Sequence, residues 1–150
     1  MRLPKQVLII PYRVIDDNVE YCIFRRNSNK VYQWISGGVE DFDKDILAAV
    51  KREISEEIGV LDDLEIIELE CFTKIPVVNI VKEFMWGDNI FYSNEYCFAV
   101  NISGKQIKIS KEHSDYKWCS YDDAMDLLKY DSNKNALCEL NEKIIRCDIK

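Results

Sequence analysis

The sequence is poor in the features that mark fibrous, secreted and membrane-spanning chains. Only 5 glycines and 3 prolines occur among its 150 residues, which excludes a collagen-like or low-complexity chain. No apolar run approaches the roughly 18 residues of a membrane-spanning helix, so we expect no membrane partner. The N-terminal residues lack a full hydrophobic region followed by a small-residue cleavage site, and we therefore predict no signal peptide.

Histidine and paired cysteines are also scarce. His113 is the single histidine, and none of the 6 cysteines forms a CxxC pair. This argues against a zinc site. Scattered thiols in a chain without a secretion signal fit a reducing cytoplasm, and we interpret them as small buried apolar side chains.

Positive charge is limited. The chain has 20 Lys and Arg against 27 Asp and Glu, for a net charge of −7, and no basic stripe is present. Such a surface repels nucleic-acid backbones, so we expect no nucleic-acid polymer as a partner. It would repel a triphosphate too, unless local cations or a bound metal invert the field. The sequence leaves a monomer and a homodimer equally open.

The chain has the composition of an ordinary globular protein, with 47% hydrophobic residues. Its length predicts a single domain over residues 1–150. Residue patterns predict strands over 7–10, 19–24, 64–73, 75–81, 90–102 and 116–119. They predict helices over 45–58 and 133–147, with a short helix beginning at Ser120. Because the helices interrupt the strands instead of alternating with them, we predict an α/β (α+β) fold with a mixed sheet covered by helices.

The predicted helix over 45–58 carries the most informative pattern. On a helical wheel its apolar positions share one arc: Leu47, Val50, Ile54 and Ile58. Glu53 and Glu57 lie at the edge of that arc, and Glu56 lies just beyond it. Like charges at these spacings destabilise a bare helix by roughly 0.2–0.5 kcal/mol per pair. A hard divalent cation would reverse that penalty, although a solvated acidic face with an Arg52–Glu56 ion pair is the simpler alternative.

The residues around this helix favour the metal. Gly37-Gly38 follows the apolar Trp34-Ile35 and precedes the helix, which predicts a strand–loop–helix unit whose loop backbone can approach an anion or metal. The segment 37–60 resembles the Nudix box, the signature of the Nudix hydrolase family. Its second half, Arg52-Glu53-Ile54-Ser55-Glu56-Glu57-Ile58-Gly59-Val60, matches the pattern R-E-U-x-E-E-x-G-U, where U is a bulky aliphatic residue.

The resemblance implies the Nudix fold, a mixed sheet between helices, and attack of water on the phosphorus of a phosphoanhydride. It implies that Glu53, Glu56 and Glu57 bind Mg²⁺, for which Mn²⁺ can substitute, and that Arg52 orients these glutamates. It also implies that the carbonyl of Gly37 or Gly38 adds a metal contact. Physically, the metal would neutralise developing phosphoryl charge and acidify the attacking water.

The first half of the box departs from the family pattern. The early family glutamate falls on Lys44 when counted back from Arg52, and on Asp43 when counted forward from Gly37. We favour an insertion in the loop 42–45. Because the early glutamate is peripheral to the metals in the family, its loss weakens an orienting contact more than the reaction.

A second match lies downstream of the box. The segment Glu112-His113 to Trp118 resembles the E-H-x-x-x-x-W stretch of Nudix enzymes close to dihydroneopterin triphosphate and dATP pyrophosphohydrolases. This makes Glu112 a candidate fourth ligand or general base, with a polar surface loop as the alternative. We interpret His113 as structural.

The candidate substrate contacts are cations and aromatics of the first part of the chain. Arg13, Arg25 and Arg26 carry guanidinium groups that suit phosphate oxygens, and Trp34 is an aromatic candidate for the slot of a base or pterin. The expected substrate is a nucleoside triphosphate-like small molecule, dATP-like or a pterin triphosphate. A nucleotide sugar, a dinucleoside polyphosphate, a non-catalytic nucleotide sensor and a plain domain with a solvated acidic helix are the alternatives.

Overall fold

Strands dominate the computed structural model, which describes residues 1–61, 63–80 and 85–147. The elements in chain order are β1 (Arg2–Ile15), β2 (Asn18–Arg26), β3 (Tyr32–Gln33), β4 (Ile35–Glu40), α1 (Ile46–Ile58), β5 (Glu65–Pro76), β6 (Tyr92–Asn101), β7 (His113–Cys119), α2 (Tyr121–Leu127) and α3 (Asp131–Cys147). No helix in this described part of the chain is long and apolar enough to cross a membrane.

The sheet is mixed and is organised around β1. β1 runs parallel to β6 and is antiparallel to β4 along its first half and to β2 along its second half. β5 pairs antiparallel with β6, while β3 and β7 both pair antiparallel with β2. This arrangement, with helices packed on the sheet, confirms the predicted α+β class and mixed sheet.

Two apolar clusters lie on opposite faces of the sheet. Because side chains alternate along a strand, Leu8 and Ile10 of β1 join the cluster that packs against α3, whereas Val7 and Ile9 join the cluster that packs against α1. Burial on both faces explains why these β1 residues form a continuous apolar run. The candidate site is built where α1 approaches the first half of β1 and its neighbour β4.

Helix α1 begins and ends with standard caps. The Asp45 side chain accepts a hydrogen bond from the Ala48 N–H, and Gly59 follows the helix in the left-handed conformation, which glycine adopts without steric cost. The buried face includes Val50, Ile54 and Ile58 as predicted. The prediction for Leu47 was wrong, because that side chain is 42% exposed on the first helical turn.

Two further predictions about local structure need correction. Gly37 and Gly38 do not form a loop but lie within β4, where they pair with Val7 and Gln6 of β1. The strand predicted over 75–81 is also different. Its first two residues end β5, Val77–Asn79 form a 3₁₀ turn, and Val81 lies outside the described residues.

Candidate active site

A cavity of about 620 Å³ gathers most of the residues that the sequence singles out. The predicted site residues in its lining are Arg26, Gly37, Gly38, Glu53, Glu56, Glu57 and Glu112. They come from β2, β4, α1 and the loop before β7. The tertiary structure therefore brings Glu112 next to Glu53, Glu56 and Glu57, which we call the acidic strip of α1.

The backbone of β4 makes room for a carboxylate of α1. A Cβ atom placed on Gly37 would collide with the carboxyl group of Glu53, so this close approach requires glycine. Glu53 is only 6% exposed. Burial raises the pKa of Glu53 to about 7, with Glu56 and Glu57 adding to the rise and Arg52 opposing it.

Arg52 contacts both the glutamates of α1 and Asp43 in the loop before α1. Its Nε and Nη2 donate to the two carboxylate oxygens of Asp43 at 3.0 and 2.9 Å. Nη1 lies 3.0 Å from Glu53 Oε1 and 3.3 Å from Glu56 Oε2. Nη2 also donates to the carbonyl oxygen of Gly38 at 2.9 Å. Bidentate arginine–carboxylate pairs are strong and directional, and this one holds the pKa of Asp43 below its usual range.

The contact between Arg52 and Asp43 helps to align the irregular first half of the Nudix box. Asp43, the position reached by counting forward from Gly37, holds the guanidinium of Arg52, whereas Lys44 is exposed. Since the Gly38 carbonyl already accepts from Arg52, Gly37 is the better candidate for a backbone contact to a metal.

Glu57 is held from the side opposite to Arg52. Its Oε2 accepts a hydrogen bond from Ser110 Oγ at 2.9 Å and lies 3.1 Å from Nδ1 of His113. Burial raises the pKa of Glu57, but the contacts with His113 and Ser110 outweigh it, and the net shift is downward. The neighbouring Glu112 shows the reverse, because burial and the negative charge of Glu57 raise its pKa.

The donor set suits a hard divalent cation, although the side chains are not yet arranged around one. Among the described residues, no three His, Cys, Asp or Glu side chains are gathered in a metal-binding arrangement. Carboxylate oxygens from Glu53, Glu56 and Glu57 nevertheless line the same cavity, and such oxygens are the ligands that Mg²⁺ prefers. At present Arg52 pairs with Glu53 and Glu56, so a cation would have to share these carboxylates with the guanidinium.

Three predicted substrate contacts do not line the cavity. Its lining within the described part of the chain does not include Arg13, Arg25 or Trp34. Arg13 pairs with Glu20 at 2.7 Å and stacks on the ring of Trp118. Of the three predicted arginines, the structure brings Arg26 to the cavity.

Trp34 is a core residue. It is 0% exposed, and its backbone N–H and ring Nε1–H donate to the Oδ1 and carbonyl oxygen of Asn133. A ring that is fully enclosed and hydrogen-bonded in this way has no face free for a base to stack on. Its role is to fix the start of α3 beside the cavity.

Sequence reasoning missed further polar residues of the cavity. Gln6, Glu95 and Asn133 belong to its lining, and the Gln6 Nε2 donates to Glu95 Oε2 at 2.7 Å. A signal was present, because Gln6 directly precedes an apolar strand run and Glu95 stands within the predicted strand over 90–102. A polar side chain facing the core of a sheet is costly unless it is paired.

A protein-family model of the NUDIX domain matches residues 8–140. The chain belongs to the Nudix family. It is a Nudix hydrolase, and enzymes of this family generally depend on a divalent metal.

Three known proteins illustrate how far this Nudix chain resembles others. A solved structure from Listeria monocytogenes, described as a NUDIX hydrolase, is 34% identical, with a TM-score of 0.86 and 99% of both chains covered. The dihydroneopterin triphosphate diphosphatase of Haemophilus influenzae is 24% identical over 89% of this chain and 84% of its own. The E. coli dihydroneopterin triphosphate pyrophosphohydrolase shares the fold, with 22% identity, a TM-score of 0.73, and coverage of 93% of this chain and 97% of its own.

Proposed function

We propose that this Nudix hydrolase is a Mg²⁺-dependent pyrophosphohydrolase that cleaves a phosphoanhydride bond in a nucleoside triphosphate or a pterin triphosphate. The observation that carries the proposal is the convergence of Glu53, Glu56, Glu57 and Glu112 on one cavity. The same cavity is also lined by the neutral polar side chains of Gln6, Gln33 and Asn133, which suit the ring of such a substrate. The name of the Haemophilus influenzae relative supports a triphosphate of this size.

Each part of the site has a distinct task in this proposal. Glu53, Glu56 and Glu57 would hold the divalent ion, which neutralises phosphoryl charge and acidifies the attacking water when bound. Arg52 is a positioning residue, since it contacts Glu53, Glu56 and Asp43. Arg26 lies at the rim of the cavity and can donate to phosphate oxygens.

Glu112 is proposed as the general base or a further ligand. It is exposed, lines the cavity and interacts with Glu57. Burial and the negative charge of Glu57 raise its pKa, which makes it a stronger base than an ordinary glutamate. The Ser110 hydroxyl links the two glutamates, because it donates to Glu57 and accepts from the Glu112 N–H.

The remaining expectations from the sequence extend this proposal. We propose that residues 1–150 act as one domain in a reducing compartment such as the cytoplasm, in keeping with the free cysteines. The substrate partner is a small molecule instead of a nucleic-acid polymer, in keeping with the net charge of −7.

The test is release of pyrophosphate from a panel of substrates. The panel contains the common nucleoside triphosphates, a pterin triphosphate, a nucleotide sugar and a dinucleoside polyphosphate, each with Mg²⁺, Mn²⁺ or EDTA. We expect metal-dependent pyrophosphate and monophosphate from a triphosphate. If only the nucleotide sugar or the dinucleoside polyphosphate is hydrolysed, that compound class is the substrate instead. If compounds bind but none is hydrolysed, the chain is a nucleotide sensor.

A further inference from the structure

Three residues of β1 and β6 carry buried polar atoms without partners in the described part of the chain, and two of them, Arg2 and Glu95, line the cavity. Arg2 Nε, Ser93 Oγ and Glu95 Oε1 make no hydrogen bond within the described part of the chain. Ser93 is 0% exposed and Glu95 is 3% exposed. Leaving such groups unpaired costs roughly 1–3 kcal/mol each, so their grouping on neighbouring strands calls for a ligand that completes them.

The free oxygen of Glu95 is held in place by a short relay. Arg2 Nη2 donates to Gln6 Oε1 at 3.4 Å, and Gln6 Nε2 donates to Glu95 Oε2 at 2.7 Å. The relay fixes one carboxylate oxygen and leaves Oε1 as an open acceptor. Ser93 lies two positions before Glu95 on β6, so both side chains face the same side of the sheet.

The sheet register separates this group from the carboxylates of α1. Gln6 pairs with Gly38 on one side and with Glu95 on the other. Two interstrand spacings therefore place Glu95 roughly 10 Å from Gly38 along the sheet. A substrate whose phosphates lie beside Glu53 would extend its ring toward Glu95, in the same cavity.

We propose that Glu95 is a specificity-determining residue whose free Oε1 accepts an N–H donor from the substrate ring. The matching chemistry is a 2-amino-4-oxo-pyrimidine edge, which guanine and pterins share. The donors of Ser93 and Arg2 complement the oxo group of that edge. Adenine has an acceptor nitrogen at the position where guanine has an N–H. Its lone pair would face the carboxylate of Glu95 without a hydrogen bond, so adenine should bind more weakly. This inference rests on the proposed function of the cavity.

The experiment compares the wild-type chain with Glu95→Gln in two ways. Binding of GMP, neopterin monophosphate and AMP is measured by calorimetry in EDTA, and kcat/KM is measured with the corresponding triphosphates and Mg²⁺. We expect the wild-type chain to prefer the 2-amino-4-oxo rings over adenine by at least about tenfold, the scale of one hydrogen bond to a charged group. Comparing GMP with the pterin identifies which of the two sources the site takes.

Glu95→Gln should abolish this preference and shift it toward adenine, because an amide N–H then faces the ring. Glu70→Gln is the matched control, since Glu70 is exposed on the adjacent β5, and it should retain the wild-type preference. Ser93→Ala tests the same edge with less change in charge. It should weaken binding of guanine and pterin rings at least threefold while leaving adenine unaffected.

Different outcomes overturn the inference and the proposed function. A wild-type chain without ring preference, or a preference that survives both Glu95→Gln and Ser93→Ala, overturns the inference even if triphosphates are hydrolysed. Ring-selective binding that depends on Glu95, without metal-dependent turnover of any substrate, supports the inference and overturns the proposed hydrolysis.

Discussion

Glu53 and Glu57 lie one turn apart on α1 and are almost equally buried, at 6% and 4% exposure. Their pKa values nevertheless move in opposite directions. Glu53 faces the glycine of β4, where burial dominates and Arg52 compensates only in part. Glu57 faces the loop before β7, where Ser110 and His113 lie against its carboxylate.

The difference shows that the partners of a buried carboxylate, and not its burial, decide which charge state folding favours. The surroundings of Glu53 disfavour its ionised carboxylate, and a bound cation would stabilise that charge. At the Glu57 side the protein itself stabilises the charge. The two sides of the acidic strip are therefore expected to respond differently to the same substitution.

The largest effect is expected for Glu57→Gln. The substitution removes the negative charge of a proposed metal ligand that also lies against Ser110 and His113, so kcat should fall at least about a hundredfold. The metal-free chain should also lose about 1–3 kcal/mol of stability. Steady-state kinetics and urea denaturation measure the two effects, with Glu142→Gln on the exposed surface of α3 as the control. Near-normal kcat and metal affinity would contradict the assignment.

Glu53→Gln should stabilise the metal-free chain at high pH. The folded chain keeps the Glu53 proton up to a pKa of about 7, whereas the unfolded chain loses it near 4.5. The folded state thus binds more protons in this interval, and stability falls as the pH rises through it. In EDTA at about pH 8 the variant should exceed the wild type by an amount on the order of 3 kcal/mol or less.

This gain should vanish below about pH 4.5, where both states of the wild-type chain are protonated. Thermal melts across that pH range measure it, and added Mg²⁺ should raise the wild-type Tm at high pH more than that of the variant. A variant that is less stable than the wild type at every pH would show that the Arg52 contact outweighs burial.

Glu112→Gln should lower kcat about tenfold or more without changing the apo Tm. Glu112 is exposed, and exposed substitutions usually change stability by less than about 0.5 kcal/mol. Combined with Glu57→Gln, its effect on kcat should be less than additive, because both residues would serve one reacting unit. Full kcat in the single variant between about pH 6 and pH 9 would remove Glu112 from the proposed mechanism.

The smallest effects are expected in the loop before α1. Asp43→Asn weakens the bidentate contact to Arg52 and should lower kcat/KM by about tenfold, the scale of one charge-assisted hydrogen bond. Lys44→Glu is the matched control and should stay within about twofold of the wild type, because Lys44 is exposed and exposed changes have small effects. A large gain from Lys44→Glu would instead assign the early glutamate position of the box to Lys44.

The sequence alone was sufficient for the family and for the acidic strip. Residues 52–60 form a contiguous pattern, and the spacing of Glu53, Glu56 and Glu57 on one helix follows from 3.6 residues per turn. Local periodicity places such residues relative to one another without knowledge of the rest of the fold. It was less accurate at the ends of α1, where Leu47 proved exposed.

Only the tertiary structure decided which distant side chains meet. Gln6 and Glu95 are 89 positions apart, and Ser110 and Glu57 are 53 apart, so the pairing of β1 with β6 and the path of the loop before β7 bring them together. The same is true of Trp34, whose place beside Asn133 turned a candidate substrate contact into a core residue. Sheet register and helix docking set these contacts, and local spacing along the chain does not encode them. For this reason Glu53 and Glu57, which lie one turn apart on the same helix, have pKa values shifted in opposite directions.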